Sequence, residues 1–344
     1  MSSSKANISP STIGDVHANK YQVIGMLGFG TTSTVLLLRN LQDHEYVTLK
    51  VCTRDGDDRR EIEIYEKLRS ANPSHPGYSC VQTALESFTL HRPEGGHKCL
   101  VQKPMWESLQ DLLRRNPTHR FNEELLKGTL QYVLSSLDYL HTDSKAFTKA
   151  ELEVPSPRKS INGFTVYKSR TFDLPKDFGG VVLSDFGCAV EGDRKRNHDA
   201  QPNVYRSPEV MLKTEWSYPA DIWNVGVMIW DLFEDKHMFY GDDPTGIGYS
   251  TRAHLAEVIA LLGPPPLDMI SRGVRSREFF SEDGKWISDV PIPLETSLEE
   301  SEENLEGENK AEFLRFMRGM LQWRPEDRKT ASELLKDPWL NKWP

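Results

Sequence analysis

Several features that define other classes of protein are scarce or missing in this 344-residue sequence. It has only four cysteines, Cys52, Cys80, Cys99 and Cys188, and no two of them stand at short spacing. Neither a disulfide framework nor a zinc site is therefore predicted. No apolar run approaches the roughly 18 residues that a transmembrane helix needs, and the Ser-rich start lacks the apolar centre of a signal peptide. Membrane insertion and export are not expected.

Positive charge is also in short supply. Lys and Arg together number 42 against 51 Asp and Glu, which gives a net charge of −9. This balance provides no overall attraction to nucleic acids or anionic membranes, so neither is expected as a direct partner. With 38% apolar and 27% charged residues, the chain has the composition of a soluble globular protein. Its length suits one large domain or two joined lobes.

The first third of the chain is dominated by strand patterns. Residues 1–19 are small and polar and are expected to form a disordered leader, and residues 20–103 are expected to form a β-rich lobe. The predicted strands are Tyr21–Leu27, Thr34–Arg39, Glu45–Cys52, Val81–Leu90 and Lys98–Gln102. Between the third and the fourth, Asp58–Arg69 carries apolar residues at helical spacing, which predicts one amphipathic helix.

Residues 104–344 are rich in helical patterns and are expected to form a second lobe. Asn122 is a suitable N-cap for a long helix that ends near His141. Asp221–Phe233 is apolar on almost every side, which predicts a helix buried inside this lobe. Half of the residues from Glu295 to Glu308 are Glu, without an apolar stripe, so we expect an exposed, mobile loop there.

A glycine pair lies in the turn between the first two predicted strands. The sequence is Leu27-Gly28-Phe29-Gly30-Thr31-Thr32-Ser33-Thr34-Val35. Glycines in such a hairpin let backbone N–H groups approach phosphates closely, although a purely structural turn is an equally simple interpretation. A Rossmann dinucleotide site is excluded because that fingerprint requires a helix after the glycines, and a strand follows here.

One lysine and one glutamate are expected to pair. Strand alternation places Lys50 on the face opposite Val47, Leu49 and Val51. Glu61 lies on the apolar face of the predicted helix, where an unpaired carboxylate is costly, so it needs a cation. Lys50 is the nearest candidate. Glu63 falls about 200° away around the helix and is expected at the surface.

Further motifs follow in a fixed order along the chain. Asp185-Phe186-Gly187 comes after the predicted strand Gly180–Ser184, which would present a carboxylate at a strand end. Tyr205-Arg206-Ser207-Pro208-Glu209, Asp221-Ile222-Trp223-Asn224-Val225-Gly226 and Trp323-Arg324-Pro325-Glu326-Asp327-Arg328 come next, and between the last two lies a run from His254 to Pro266. Together with the glycine hairpin, Lys50 and Glu61, they resemble the signature set of eukaryotic protein kinases. The resemblance covers about residues 21–340 and is greatest to SR-protein-kinase-like enzymes of fungi, in the group that includes cyclin-dependent and MAP kinases.

This resemblance implies an α+β, two-lobed protein kinase fold, with an antiparallel sheet and one helix in the small lobe. It also implies that ATP and Mg²⁺ are the cofactors. The nucleotide-binding positions would be Leu27, Gly28, Gly30, Val35, Lys50, Gln102, Met105 and Asp185. Lys50 and Glu61 would act together on the phosphates, Asp185 would bind the metal, and Gln102 would be an unusually polar gatekeeper before a hinge at residues 103–105. Glu209 and Arg328 would form a buried ion pair, and Asp221 would brace the catalytic loop.

The catalytic loop departs from the kinase pattern. The resemblance requires an H-R-D-L-K-x-x-N motif, whose Asp accepts the substrate proton and whose Asn binds a second metal. The nearest match is His141 to Thr148, where Asp143 is the candidate catalytic base and Thr148 stands in place of Asn. Asp143 is equally well explained as an ordinary turn carboxylate, and His141 is better explained as the end of the preceding helix. A segment of some twenty or more residues is therefore expected to be absent relative to similar kinases.

The functional hypotheses follow from the matching kinase motifs and the incomplete catalytic loop. By resemblance the chain transfers phosphate from ATP to Ser or Thr in proteins, including Arg/Ser-rich ones, as a monomer in the cytoplasm or nucleus with a role in mRNA processing. The alternatives are a pseudokinase that binds ATP or partners without phosphate transfer, and a defective gene product. The incomplete loop predicts transfer reduced by at least about 10²-fold, the lower end of what a general base contributes.

Overall fold

A computed structural model of the chain describes residues 11–29, 33–53, 58–93, 95–143, 179–190, 192, 194–294 and 297–343. Contacts divide the chain into two compact units. Unit 1 comprises Met1–Glu107 and Ala146–Val190, and unit 2 comprises Ser108–Lys145 and Glu191–Pro344. The two units correspond to the β-rich and helical lobes of a protein kinase fold, the α+β class predicted. No helix among the described residues has the length and apolar content to span a bilayer.

Unit 1 is built on a six-stranded antiparallel sheet with the order β1-β2-β3-β4-β6-β5. The strands are β1 (Val16–His17), β2 (Tyr21–Phe29), β3 (Ser33–Asn40), β4 (Tyr46–Cys52), β5 (Ala84–Arg92) and β6 (Gly95–Gln102). Alternating residues on one face form an apolar core that includes Leu38, Leu49 and Val101. The other face receives helix α1 (Asp58–Ser70), which contacts β5 and β6. The sheet and helix therefore bring β4 and α1 together, as the strand and helix patterns predict.

Two features of unit 1 differ from expectation. Val16 and His17 lie in the expected disordered leader, yet they pair with Gln22 and Tyr21 as β1. Residues 1–10 lie outside the described residues. The predicted strand Gly180–Ser184 is reduced to a single parallel bridge between Leu183 and Val81, because the backbone of Leu183 bonds to Cys80 and Gln82 at the end of a short 3₁₀ turn. A turn offers no second extended segment with which a longer ladder could pair.

Unit 2 is helical. Its helices are α2 (Leu109–Arg115), α3 (Glu123–Asp143), α4 (Pro208–Leu212), α5 (Pro219–Phe233), α6 (Thr251–Leu262), α7 (Leu267–Arg272), α8 (Leu298–Ser301), α9 (Gly307–Arg318), α10 (Ala331–Leu335) and α11 (Pro338–Asn341). The Asn122 side chain accepts a hydrogen bond from the Leu125 N–H at 2.8 Å, which confirms it as the cap of α3. Helix α5 is buried along most of its length, with Trp223 and Trp230 almost fully enclosed, as predicted.

Most described residues of the Glu-rich segment are exposed, as expected, but the segment is not a continuous loop. Within its described part, Leu298 and Leu305 are buried and anchor it to the core, while α8 and the start of α9 occupy much of its length. Glu302 is also buried: its carboxylate accepts hydrogen bonds from the N–H groups of Asn304 and Leu305, both at 2.7 Å. Lys310 Nζ lies 3.3 Å from the same carboxylate. These contacts fix the chain around Glu302 through Oε1, while Oε2 accepts no hydrogen bond from the described residues and has only the charge of Lys310 beside it.

The division into units also differs from the expected boundary after residue 103. The chain passes from unit 1 to unit 2 between Glu107 and Ser108, and the segment that contains Asp185 belongs to unit 1. The reason is local: Leu183 pairs with Val81, and the 3₁₀ turn Phe186–Cys188 contacts α1.

Candidate active site

The centre of the candidate site is an ion pair between β4 and α1. Lys50 Nζ lies 2.6 Å from Oε1 and 2.7 Å from Oε2 of Glu61, so the two oxygens share one ammonium group. The Glu61 side chain is only 3% exposed and that of Lys50 is 17% exposed. This confirms the predicted pairing, and Glu63 is exposed as predicted. Burial opposes the charge on Lys50, but the hydrogen bond and charge of Glu61, with the charge of Asp185, raise the pKa of Lys50 above its usual range.

Asp185 is presented beside this pair. Its Oδ1 lies 3.6 Å from Lys50 Nζ, and its side chain is 81% exposed. The backbone adopts φ 64° and ψ 68°, in the left-handed region, before the turn Phe186–Cys188 begins. A Cβ at Gly187 would lie 3.6 Å from Glu61 Oε2 and 3.7 Å from Asp185 Oδ1, so the missing side chain keeps the space beside both carboxylates open. Lysine ammonium and an accessible carboxylate are therefore adjacent, which suits a phosphate with its metal ion.

The glycine hairpin approaches the same face of the sheet. Gly28 on β2 is the register partner of Val35 on β3, and Val35 is the partner of Lys50 on β4. Register partners in antiparallel strands point to the same face, so Val35 lies beside Lys50. Leu27 and Val35 are half-buried, and a Cβ at Gly28 would meet no atom within 4 Å. Gly30 lies outside the described residues.

Gln102 and Met105 flank the end of β6. Gln102 is 6% exposed, and its carbonyl accepts a hydrogen bond from the Thr48 hydroxyl at 3.3 Å. Met105 is 45% exposed, and residues 103 and 104 are exposed as well. Gln102 is thus a buried polar side chain beside an exposed segment.

The catalytic loop cannot be placed from the described residues. Asp143 is the last residue of α3, its side chain is not described, and residues 144–178 lie outside the described part. His141 belongs to α3, as predicted, and its Nε2 lies 3.1 Å from Oδ2 of Asp221. The predicted contact between Asp221 and the catalytic loop therefore stays a prediction.

The predicted structural ion pair is present in unit 2. Arg328 donates from its two terminal nitrogens to the two carboxylate oxygens of Glu209, both at 2.7 Å. Neither side chain is exposed. Arg328 also donates to the carbonyls of Pro219 and Gln322 and lies over the ring of Trp223. Four of its five N–H donors are thus used, which approaches the full pairing that stable burial of a charged pair requires.

Two residues around the site were not found by sequence reasoning. The Tyr65 hydroxyl accepts a hydrogen bond from the Asp185 backbone N–H at 3.2 Å and donates to Gln82 Oε1 at 3.3 Å. The helical pattern places Tyr65 on the apolar face of α1 and so accounts for its ring, which packs edge-on against Phe186 with 5.4 Å between centroids. An apolar face can be filled by leucine, so the presence of a tyrosine there was the one sequence feature that could have indicated a hydrogen bond from its hydroxyl.

Comparisons with known proteins agree with this geometry. A family model described as the protein kinase domain matches residues 171–340. A serine/threonine protein kinase of Aspergillus fumigatus is 45% identical over 347 residues, which cover 96% of this chain and 87% of that protein.

More distant relatives are also protein kinases by name. The serine/threonine-protein kinase SRPK of Physarum polycephalum is 26% identical over 392 residues, covering 98% of this chain and 89% of that protein. The dual specificity protein kinase CLK1 of Mus musculus is 28% identical over 350 residues, which cover 95% of this chain and 67% of that protein. The chain thus belongs to the serine/threonine protein kinases, of the SR-protein-kinase-like type.

Proposed function

We propose that this chain binds Mg-ATP through unit 1 and transfers the γ-phosphate to Ser or Thr residues of proteins. The single observation that supports this most directly is the Lys50–Glu61 pair with Asp185 beside it. Lys50 would hold the phosphates, with Glu61 fixing its position. Leu27, Gly28, Gly30 and Val35 would cover the nucleotide, and Gln102 and Met105 would lie near its base.

The donor set fits magnesium. Among the described residues no group of three or more His, Cys, Asp or Glu could hold a metal alone. Magnesium is usually held by one or two carboxylates together with phosphate oxygens and water, so a single accessible carboxylate suffices. Asp185 supplies that carboxylate, since its side chain is 81% exposed. When bound, Mg²⁺ would neutralise charge on the phosphates, while Lys50 orients them.

The protein substrate is proposed to be basic and rich in Arg and Ser. Support comes from the similarity to SRPK and from the net charge of −9, which attracts cationic segments. We also propose that the chain acts as a monomer, in the cytoplasm or nucleus, in mRNA processing.

A second candidate is a pseudokinase that binds nucleotide without efficient transfer. It is favoured by one feature of the sequence: after Asp143 no Asn stands at the position of the second metal ligand, which Thr148 occupies. The alignment with SRPK also runs over 392 residues, more than this chain contains, so that relative has residues with no counterpart here. We therefore expect transfer to be weak, reduced by at least about 10²-fold.

The binding step is tested by thermal unfolding with and without Mg-ATP. A ligand that binds only the folded state raises the melting temperature, by an amount that grows with ligand concentration. The parent chain should show this rise, and Lys50→Ala should abolish it. Lys98→Ala is the matched control, because Lys98 is an exposed lysine of β6 in the same sheet. A parent chain that does not respond to Mg-ATP would contradict the proposal.

The transfer step separates the two candidates. Purified chain is incubated with radiolabelled ATP, Mg²⁺ and an Arg/Ser-rich peptide, and peptide phosphate is counted. Incorporation that is lost in both Lys50→Ala and Asp143→Ala would establish the kinase and make Asp143 its base. Mg-ATP binding without incorporation above the Lys50→Ala background would establish the pseudokinase.

A further inference from the structure

A buried hydroxyl on α1 is bonded to the backbone of Asp185. Tyr65 is 1% exposed, and its oxygen accepts from the Asp185 N–H at 3.2 Å. The same hydroxyl donates its only proton to Oε1 of Gln82, which is 8% exposed, at 3.3 Å. Because a phenol has one proton and two lone pairs, donation to Gln82 leaves the lone pairs for the Asp185 N–H. Gln82 therefore sets the orientation of the hydroxyl.

Gln82 also holds the segment before Asp185 through its own backbone. Its N–H donates to the Leu183 carbonyl at 2.9 Å, and the Leu183 N–H donates to the Cys80 carbonyl at 2.8 Å. Residues 183–185 are thus attached to Gln82 at both ends, directly at Leu183 and through Tyr65 at Asp185. These bonds close a ring, and a ring restrains the segment more than any one bond could.

The conformation held in this way is an uncommon one. Asp185 has φ 64° and ψ 68°, in the left-handed region that few residues other than glycine adopt and that Asp enters more often than most. The Phe186 ring that follows packs against the ring of the same tyrosine. In this conformation Asp185 Oδ1 lies 3.6 Å from Lys50 Nζ, so the backbone angle decides where the carboxylate points.

We propose that Tyr65 and Gln82 position Asp185 for magnesium, with the Tyr65 hydroxyl setting the backbone from which the carboxylate is presented. The inference rests on the proposed function, because it assigns Asp185 to the metal. Mg²⁺ requires near-ideal octahedral geometry, so a carboxylate whose position varies binds it less well. Tyr65 touches neither metal nor nucleotide in this scheme and is a positioning residue.

The test is the variant Tyr65→Phe, which keeps the ring against Phe186 and removes only the hydroxyl. ATP binding is measured by calorimetry, once with MgCl₂ and once with EDTA. The loss of one hydrogen bond should weaken Mg-ATP binding by about two- to tenfold. Binding of ATP in EDTA should stay unchanged, which a general loosening of unit 1 would not allow. Tyr21→Phe is the control: Tyr21 is also buried, and its hydroxyl bonds to Glu86 at 2.8 Å on another part of the sheet.

A second variant keeps the inference testable if Tyr65→Phe fails to fold. Gln82→Met removes the acceptor at nearly constant volume and should also weaken Mg-ATP selectively. The double variant should be no weaker than Tyr65→Phe alone, because both changes break one ring. Parent-like Mg-ATP binding by Tyr65→Phe, or equal weakening with MgCl₂ and EDTA, would overturn the inference and leave the proposed function standing. A parent chain that does not bind Mg-ATP would overturn the proposed function itself, and this inference with it.

Discussion

At the scale of single residues, the buried charges of unit 2 carry the clearest consequences for stability. Glu209 and Arg328 are both fully buried, whereas Arg324 pairs with Asp268 at the surface. Arg328→Ala leaves an uncompensated buried carboxylate and should lower the free energy of unfolding by about 3–5 kcal/mol. Arg324→Ala should cost far less, because exposed pairs are screened by water. Chemical denaturation of both variants measures this, and similar losses would show that burial is not the deciding factor.

One buried histidine should make stability depend on pH. His254 is fully enclosed, and its Nδ1 lies 3.1 Å from the Tyr249 hydroxyl. Burial, together with the charge of Arg206, lowers the pKa of His254 to about 3. The unfolded chain binds this proton near pH 6.5 and the folded chain does not, so the histidine lowers stability as the pH falls from 6.5 towards 3.

For one such proton, the free energy of unfolding should change by at most about 1.4 kcal/mol per pH unit. Urea unfolding of the parent and of His254→Gln is measured between pH 6 and pH 4.5. The free energy of unfolding should fall less steeply with pH in the variant than in the parent. Equal slopes would mean that His254 accepts its proton in the folded state.

At the scale of structural elements, the segment from Asp185 to Ser207 is notable because it contains no Ser or Thr before residue 207. Its part in unit 2 is held by other bonds. Gln201 donates to the Ala220 carbonyl at 3.0 Å and accepts from the Ser207 N–H at 2.8 Å. The Tyr205 hydroxyl donates to Asp231, and Asn224 donates to the Tyr205 carbonyl at 2.9 Å. In phosphorylated loops a phosphate paired with arginine holds the segment in place. Here these hydrogen bonds have that role.

Activity should therefore be independent of Ser/Thr phosphorylation in this segment, whose one hydroxyl before Ser207 is that of Tyr205. Phosphatase treatment of the purified chain should leave its rate of peptide phosphorylation unchanged. As a check on the structural reason, Gln201→Ala should lower that rate, because it removes both bonds that tie the segment to α5 and Ser207. A phosphatase-sensitive rate traced to a residue between Asp185 and Ser207 would contradict this prediction.

At the scale of the whole molecule, the excess of acidic residues should govern encounter with a basic substrate. A net charge of −9 attracts an Arg/Ser-rich peptide over a distance set by the Debye length, which shrinks from about 30 Å at 0.01 M salt to about 8 Å at 0.15 M. The dissociation constant of a fluorescent Arg/Ser-rich peptide should rise with salt in anisotropy titrations. A peptide of the same length with Gln in place of Arg should bind weakly at every salt concentration. Salt-independent binding of the basic peptide would point to apolar recognition.

Much of the candidate site could be predicted from sequence, because each residue carries a local signal that does not depend on distant contacts. Strand alternation predicts the face on which Lys50 lies, and helical spacing predicts the face of Glu61. Because an unpaired buried carboxylate is costly, the two side chains are expected to form an ion pair. The order of the motifs identified the family, and Asn122 identified the start of α3. The catalytic loop is the exception, since the pattern after His141 is incomplete in the sequence itself.

Tertiary structure decided the features that depend on which segments of the chain meet, whether near or far along the sequence. Val16 and His17 form a strand only because β2 offers an edge, and Leu183 forms a bridge only because Val81 ends a turn. The composition of the Glu-rich segment predicts that it is solvated, and most of its described residues are exposed. Leu298 and Leu305 are nevertheless buried, and two backbone N–H groups bond to the buried Glu302. The sequence by itself determined which residues carry charge and apolar surface. Only the folded chain decided which polar atoms they meet, because a hydrogen bond such as that from Asp185 to Tyr65 depends on positions within a few tenths of an ångström.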